Sequence, residues 1–293
     1  MNELRFRPVM KTLDDEQIST LHEAVLSVLE RTGVAVKHPK AKEIFSGIGC
    51  NVDSHRVRIP PRVVEKAISS APKKVVLGNR DNTKSIILEG ANTYFGATVD
   101  CVNYLDPDTR ELSECKSDHV IAMTRLCESL NNYDWTMTLG IARDMPESIA
   151  DKVVARIAME HCSKPVIVSA NDAASLKEMY EMALLCRGGG DNFRTAPLLG
   201  TLNCTISPLS YDDHLVEKDI FAAENAIPIV HYSGMQLGAS FPATLAGGIV
   251  MGRCHKDTQV VTSLSPVPPF TVAIGRGTYP EIDVMQKLIE ERT

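Results

Sequence analysis

Strand-like and helical segments alternate at a nearly constant interval in the second part of this chain, and that repeat limits the possible folds. Apolar runs, each followed by a helical pattern, recur about 31 residues apart and begin near residues 134, 165, 197 and 227. Apolar strands that alternate with helices are typical of a parallel sheet covered by helices. The constant interval favours a TIM-type (β/α) barrel of the α/β class. Neither GxGxxG nor GxxxxGK(S/T) occurs, which disfavours a doubly wound nucleotide-binding sheet.

The beginning of the chain follows a different pattern. Helical periodicity, with acidic residues or proline near the start of each segment, covers residues 14–33, 39–50 and 60–72. Residues 51–60 alternate like a strand. We therefore predict an N-terminal helical region with a small β element at residues 1–90. A (β/α) barrel, incomplete at its C-terminal end, is predicted at residues 91–293.

Charge and hydropathy exclude several classes of protein. The chain has 31 basic and 37 acidic residues, a net charge of -6, and no run of lysine or arginine, so we expect no nucleic-acid partner. Its apolar stretches are shorter than the ~20 residues that cross a membrane. The N-terminal segment lacks the apolar core of a signal peptide. We expect a cytoplasmic protein that does not enter a membrane.

The cysteines do not indicate a metal site. The chain has 8 of them, none with CxxC spacing, and no histidine recurs at metal-ligand spacing beside them. Most lie inside apolar patterns, as Cys127 and Cys186 do. We predict reduced cysteines that fill the core, and no bound metal.

Polar side chains collect where the predicted strands end, and that is where a (β/α) barrel builds its active site. Asn171, Asn203, His231 and Ser233 end successive strands. Such residues also serve as loop residues and helix caps, so both interpretations stay open. No GxSxG or HExxH motif occurs, and Asp100 is a single carboxylate without a defined partner. From the residues alone the chain is a barrel enzyme for a small ligand, with unknown catalytic residues.

Several long segments, in order and over about residues 15 to 252, resemble the trimethylamine methyltransferase family. These are the corrinoid-dependent amine methyltransferases of methanogens and many bacteria. The segments that carry the resemblance include LHEAVLSVLERTGVAVKHPKAKEIFSGIGCNVD, YFGATVDCVNYLD, SKPVIVSAND, LNCTISPLSYDDH and IPIVHYSGMQLGASFPATLAGGIVMG.

The resemblance implies a (β/α)8 barrel that moves a methyl group from a methylated amine to the Co(I) of a separate corrinoid protein. The amine would be trimethylamine or a quaternary amine such as glycine betaine, and the corrinoid would be carried by the partner protein. Aromatic faces and carboxylates suit such a cation. We therefore predict a substrate-binding set at the strand ends, with core packing as the alternative for its aromatic members: Tyr94, Phe95, Trp135, Asn171, Asn203, His231, Tyr232 and Ser233.

The similarity to the family ends after Gly252. The remaining segments provide strands at TQVVTSL and FTVAIG, which leaves fewer strands than the eight of a closed barrel. Two alternatives follow: a truncated methyltransferase, or a short non-catalytic paralog that binds amines or pairs with a full-length subunit or a second copy. A barrel lyase or aldolase is a third, but Lys164 precedes its strand and does not suit a Schiff base.

Overall fold

The computed structural model describes residues 13–90, 92–204 and 209–232. Its helices are α1 Asp15–Arg31, α2 Pro39–Gly47, α3 Pro61–Ser70, α4 Ser117–Ser129, α5 Glu147–His161, α6 Ala173–Arg187, α7 Gly190–Thr195 and α8 Asp213–Glu224. Its strands are β1 Val34–Val36, β2 Asn51–Asp53, β3 Arg56–Arg58, β4 Lys74–Gly78, β5 Ser85–Glu89, β6 Asn103–Leu105, β7 Leu112–Glu114, β8 Thr136–Met137, β9 Val166–Val168, β10 Leu199–Cys204, β11 Ser210–Tyr211 and β12 Ile229–Tyr232. Ser233 and the strands predicted after Gly252 lie outside the described residues.

The helices predicted near the N-terminus are confirmed, and α1 begins where its sequence signals place it. The Asp14 side chain accepts the Gln17 backbone N–H, and the Gln17 side chain accepts that of Asp14, which forms a capping box. Strands β1, β3 and β2 form an antiparallel sheet, to which β11 adds in parallel along β1. Because β11 comes from the second region, this small sheet joins the two predicted regions, and the boundary at residue 90 stays a prediction.

The second region contains a parallel sheet, as the repeated interval predicts. Its order is β12-β10-β9-β8, and every neighbouring pair is parallel. Helices α5, α6 and α8 connect successive strands of the sheet. The fold is therefore mixed α/β, with helices packed on a parallel sheet.

The two faces of this sheet bury different partners. One face, here the helix face, packs on α5, α6 and α8 through Ala158, Met179 and Ala222, and its strand residues include Val166, Val168 and Leu199. The other, here the hairpin face, packs on the β4–β5 hairpin, and its strand residues include Met137, Ile167 and Val230. Alternate residues of each strand thus point to opposite faces, as the pleat requires.

The segment that precedes β6 follows the edge of the parallel sheet without forming a continuous strand. It touches the sheet through two isolated parallel bridges, Gly96 with Trp135 and Cys101 with Gly140. The Asp134 carboxylate accepts the Phe95 backbone N–H at 2.9 Å. In a continuous strand ladder the Phe95 N–H would donate to a backbone carbonyl, but here it donates to the Asp134 side chain.

No helix in the described ranges is long and apolar enough to cross a membrane.

Glu128 joins the end of α4 to the segment that enters β9. Its carboxylate accepts the Ser163 backbone N–H at 2.9 Å and the Ser163 hydroxyl at 2.7 Å. The Cys162 thiol donates to it at 3.2 Å, and burial raises the pKa of that thiol to about 12, so it stays protonated. Burial alone would raise the pKa of Glu128, but these hydrogen bonds outweigh it and lower the pKa below its ordinary 4.5.

Glu128→Gln is expected to lower the free energy of unfolding by about 1 kcal/mol at pH 7, because one acceptor oxygen becomes a donor. A lowered carboxyl pKa stabilises the fold above the unfolded value, and that stabilisation disappears as the pH falls through the folded value. The difference between wild type and variant should therefore shrink below pH 4.5. Urea unfolding at several pH values measures it, with Glu181→Gln on the exposed side of α6 as control. A difference that is constant with pH would contradict the prediction.

Candidate functional site

A cleft of about 400 Å³ opens at the carboxyl ends of β9 and β10. Its charged lining residues are Asp100, Asp212 and Lys218. Its polar residues are Ser169, Asn171 and His214, and its apolar residues are Val99, Leu202 and Leu215. The position agrees with the general location of ligand sites outside the carboxyl ends of parallel strands.

The ends of β8 and β9 hold Asp100 and Ser169 side by side. The Asp100 backbone N–H donates to the Thr138 carbonyl at 3.0 Å, and the Ser169 N–H donates to the Thr138 hydroxyl at 3.2 Å. Asn171 lies two residues further, where its N–H donates to the Asp151 carboxylate at 3.1 Å. In each contact the donor is a backbone N–H, and the acceptors are Thr138 at the end of β8 and Asp151 on α5, so the sheet and α5 together fix these residues.

Asp100 has an unusual backbone conformation. Its φ is 54°, in the left-handed region that residues other than glycine seldom adopt, although aspartate and asparagine tolerate it best. Such conformations cluster at functional sites, where the surrounding structure enforces them. This observation marks Asp100 as the leading functional candidate in the cleft.

The electrostatic environment of Asp100 also departs from that of a surface carboxylate. The surrounding protein displaces water and raises its pKa, and the nearby Asp151 carboxylate raises it further. A hydrogen bond with Ser169 and the positive charge of Lys218 act in the opposite direction. The side of Asp100 that faces the cleft is nevertheless exposed to solvent, so a ligand can reach it. A cationic ligand would relieve the unfavourable environment of the ionised form.

A second polar cluster joins α8 to the ends of β10 and β12. Asn203 is 0% exposed, and its Nδ2 donates to Asp219 Oδ1 at 2.5 Å. His231 Nε2 lies 3.6 Å from the same oxygen. Burial raises the pKa of Asp219, while the His231 charge and the Asn203 hydrogen bond lower it. This Asp219 cluster bridges a helix and two neighbouring strands.

The predicted polar residues therefore separate into two places. Asn171 lines the cleft, whereas Asn203 and His231, which are paired in register across β10 and β12, contact α8 on the helix face. Side chains alternate along a strand, so residues near the ends of neighbouring strands point to either face of the sheet. The substrate-binding roles of all these residues stay predictions.

Among the predicted aromatic residues, Tyr94, Phe95 and Trp135 are not lining residues of the cleft. Trp135 is 3% exposed and packs on the hairpin face, and Tyr94 packs there too, with its hydroxyl accepting the Ile87 N–H at 3.1 Å. Phe95 is 63% exposed. The backbone of Tyr232 pairs with that of Cys204 at the end of the sheet. Their roles in cation binding stay predictions.

Sequence reasoning missed the α8 residues Lys218 and Asp219. Both lie among charged residues of an amphipathic helix, where the usual interpretation is a solvated face. Asp100 is visible in the sequence only as an isolated carboxylate, because Ser169 and Lys218 are distant in the chain. Within the described ranges no group of three or more histidine, cysteine or carboxylate side chains is arranged to hold a metal.

Comparisons with known proteins agree with the resemblance stated above. A family model described as Trimethylamine methyltransferase (MTTB) matches residues 2–254. Trimethylamine methyltransferase MttB of Desulfitobacterium hafniense (strain DSM 10664 / DCB-2) is 32% identical over 266 residues, which are 90% of this chain and 54% of that protein. Glycine betaine methyltransferase of Desulfitobacterium hafniense (strain Y51) is 24% identical over 89% of this chain and 55% of that protein. The chain spans about half the length of these curated relatives.

Among solved structures, dihydropteroate synthase from Xanthomonas albilineans in complex with 7,8-dihydropteroate matches with a TM-score of 0.33. The sequence identity is 13%, over 65% of this chain and 83% of that chain. A similarity at this level carries no argument about fold or function. The family match is different, because it covers most of the chain and agrees with a relative above 30% identity. The chain belongs to the trimethylamine methyltransferase (MTTB) family.

Proposed function

We propose that this protein transfers a methyl group from a methylated amine to the Co(I) of a corrinoid protein. The observation that carries the proposal is the cleft at the strand ends, where the ionisable Asp100 meets apolar walls in a protein of this family. A methylated ammonium ion needs a carboxylate for its charge and apolar surface for its methyl groups. Relatives named for trimethylamine and glycine betaine support this substrate class.

The sheet supports the proposed (β/α)8 architecture. Helices α5, α6 and α8 follow β8, β9 and β10, and all three pack on the same face. A doubly wound sheet places its connecting helices on both faces, whereas a barrel places them only outside. The opposite face buries the β4–β5 hairpin with Trp135 and Val230. We propose that this face is the interior of the barrel.

The size of the cleft is consistent with the proposal that this chain binds the amine and a partner protein carries the corrinoid. A volume of about 400 Å³ suits a small amine. A corrinoid is several times larger than the ligands that such a volume encloses, so the described residues favour a corrinoid held by a partner. The corrinoid would supply the nucleophile, and the residues of this chain would orient and desolvate the amine. Asp100 would hold the ammonium charge, and Val99 and Leu202 would contact its methyl groups.

The test is methyl transfer measured with the purified chain, a reduced corrinoid partner and a panel of methylated amines. We expect the absorption spectrum of the corrinoid to change to that of its methylated form with at least one amine, and not without the chain. Calorimetric binding of an amine without any spectral change would instead indicate the non-catalytic alternative. If a folded chain shows neither amine binding nor methyl transfer, the proposal is refuted.

A further inference from the structure

Ser169 lines the candidate cleft together with Asp100, and the proposed function gives it no role. We propose that Ser169 is a positioning residue for the amine site, because its hydroxyl holds the Asp100 carboxylate while Thr138 holds Ser169. This proposal rests on the proposed function, since it concerns the carboxylate that would bind the ammonium ion. Ser169 would fix the direction and the ionised form of Asp100 without contacting the methyl group that is transferred.

Thr138, the residue directly after β8, supports both members of this pair. Its carbonyl accepts the Asp100 N–H at 3.0 Å, and its hydroxyl accepts the Ser169 N–H at 3.2 Å. The Thr138 N–H in turn donates to the Ile167 carbonyl of β9 at 3.3 Å. Thr138 is 2% exposed, so this support belongs to the buried sheet. Asp100 and Ser169 are therefore brought to one point by a residue that solvent hardly reaches.

The backbone at Asp100 departs from a regular strand. Successive N–H groups of a strand point to opposite sides, but those of Asp100 and Cys101 both donate to β8 and its extension, to the Thr138 carbonyl at 3.0 Å and the Leu139 carbonyl at 3.1 Å. Together with the φ of 54° at Asp100, this is a distortion of the bulge type, which re-aims a side chain beside a functional site. The Ser169 hydroxyl then supplies a side-chain contact that restricts the rotation of the re-aimed carboxylate.

Several groups around Asp100 favour or oppose its ionised form. The surrounding protein displaces water and raises the pKa of Asp100, and the Asp151 carboxylate of α5 raises it further. The hydrogen bond from Ser169 lowers the pKa, as does the charge of Lys218. The titratable residues of α8 and its N-cap that line the cleft are Asp212, His214 and Lys218. Without the Ser169 hydroxyl, Asp100 should take up a proton at a higher pH.

Two other roles of Ser169 would give different results. If Ser169 contacts the ligand directly, its replacement weakens binding by the same factor at every pH. If Ser169 only supports the fold, its replacement lowers the free energy of unfolding and leaves the pH dependence of binding unchanged. The pH profile of affinity therefore distinguishes a positioning residue from both.

The test is calorimetry on the full chain with tetramethylammonium over a series of pH values. The charge of this ion is the same at every pH, so a pH dependence belongs to the protein. At the pH where wild-type affinity has fallen to half, Ser169→Ala should bind about fivefold more weakly, as expected for the loss of one hydrogen bond. Well above that pH its affinity should lie within about twofold of wild type. Ser169→Thr keeps a hydroxyl and should restore the profile, and Ser113→Ala on the exposed strand β7 is the control.

Asp151→Asn should change the profile in the opposite direction. It removes the charge that raises the pKa of Asp100, yet its amide oxygen can still accept the Asn171 N–H that Asp151 now accepts at 3.1 Å. Its affinity should therefore be lost at a lower pH than that of wild type. Because the His214 imidazole can also gain a proton in the cleft, the series is repeated in His214→Gln, where both shifts should remain.

Opposite shifts in Ser169→Ala and Asp151→Asn would support the proposal, since a general loss of folding cannot produce them. An unchanged profile in Ser169→Ala, or a loss of affinity by the same factor at every pH, would overturn it and leave the proposed amine site standing. If Ser169→Ala does not fold, Ser169→Thr and Ser169→Val decide by the same criteria, because they differ mainly in the hydroxyl. If folded wild type binds neither tetramethylammonium nor trimethylamine, both this proposal and the proposed amine site are overturned.

Discussion

Gly96→Ala is expected to be among the most destabilising single substitutions in the described part of this chain. A Cβ at Gly96 would lie 2.1 Å from two ring atoms of Trp135, far inside van der Waals contact. The indole is 3% exposed and packs against Leu77 and Met137, so it cannot turn away without disturbing the hairpin face. We expect a loss of about 3 kcal/mol in the free energy of unfolding, at the upper end of the range for overpacking.

Urea unfolding with a constant m-value measures this loss. Gly47→Ala is the matched control, because a Cβ there meets nothing within 4 Å and the residue ends helix α2. The control should change stability by less than about 1 kcal/mol. The double variant Gly96→Ala/Trp135→Leu replaces the indole with a smaller side chain and should recover part of the lost free energy of unfolding. A double-mutant cycle detects this recovery as a coupling energy between the two positions. If Gly96→Ala is as stable as wild type, the close approach of this segment to β8 is wrong.

The parallel sheet could be predicted because its signal is repeated along the chain. Apolar runs such as the one ending at Val168 are long enough to identify a buried strand, and the helix after each run shows its own periodicity. The short strand β11 could not be predicted in this way. Ser210 and Tyr211 lie just before α8, and only their pairing with β1 makes them a strand. Such pairing depends on residues about 175 positions apart, which no local pattern reports.

Helix α7 was missed for a local reason. A run of glycines is a typical signal for the end of a helix, and Gly188 does end α6 with a φ of 72°. The six residues Gly190–Thr195 then form a further turn that buries Phe193 against the helix face. A glycine run stops one helix without excluding another that begins directly afterwards.

The candidate site was harder to predict than the fold. The periodicity of the sequence predicted that the strand ends lie at one edge of the sheet, and Asn171 does line the cleft there. It did not determine which side chains at that edge face the cleft, and so Asn203 was grouped with Asn171 although it contacts Asp219 on the helix face. Lys218 comes from a helix, and its distance from Asp100 in the sequence hides their electrostatic interaction. Sites built from several elements are defined by tertiary structure and seldom by local spacing.

Asp100→Asn is expected to weaken the binding of every methylated ammonium ligand on the order of 30-fold at pH 7, by removal of the negative charge in a partly desolvated cleft. Asparagine is the matched replacement, because it has the same shape and tolerates the left-handed φ of 54°. Calorimetry with trimethylamine and glycine betaine measures the change. Asp108→Asn, in the exposed turn between β6 and β7, is the control and should leave affinity unchanged.

The pH dependence separates this effect from a loss of folding. The affinity of wild type for methylated amines should fall as the pH decreases through the pKa of Asp100, because a proton on the carboxyl removes the charge that attracts the cation. Since this pKa is raised, the fall should occur at a higher pH than for an ordinary aspartate.

Stability has the opposite sign, because a carboxyl with a raised folded pKa contributes stability below its unfolded pKa of 3.8 and loses it as the pH rises through the folded value. Asp100→Asn should therefore bind amines more weakly at pH 7 and yet unfold at an equal or higher temperature. A variant that loses both affinity and stability would show that Asp100 supports the fold instead of the ligand.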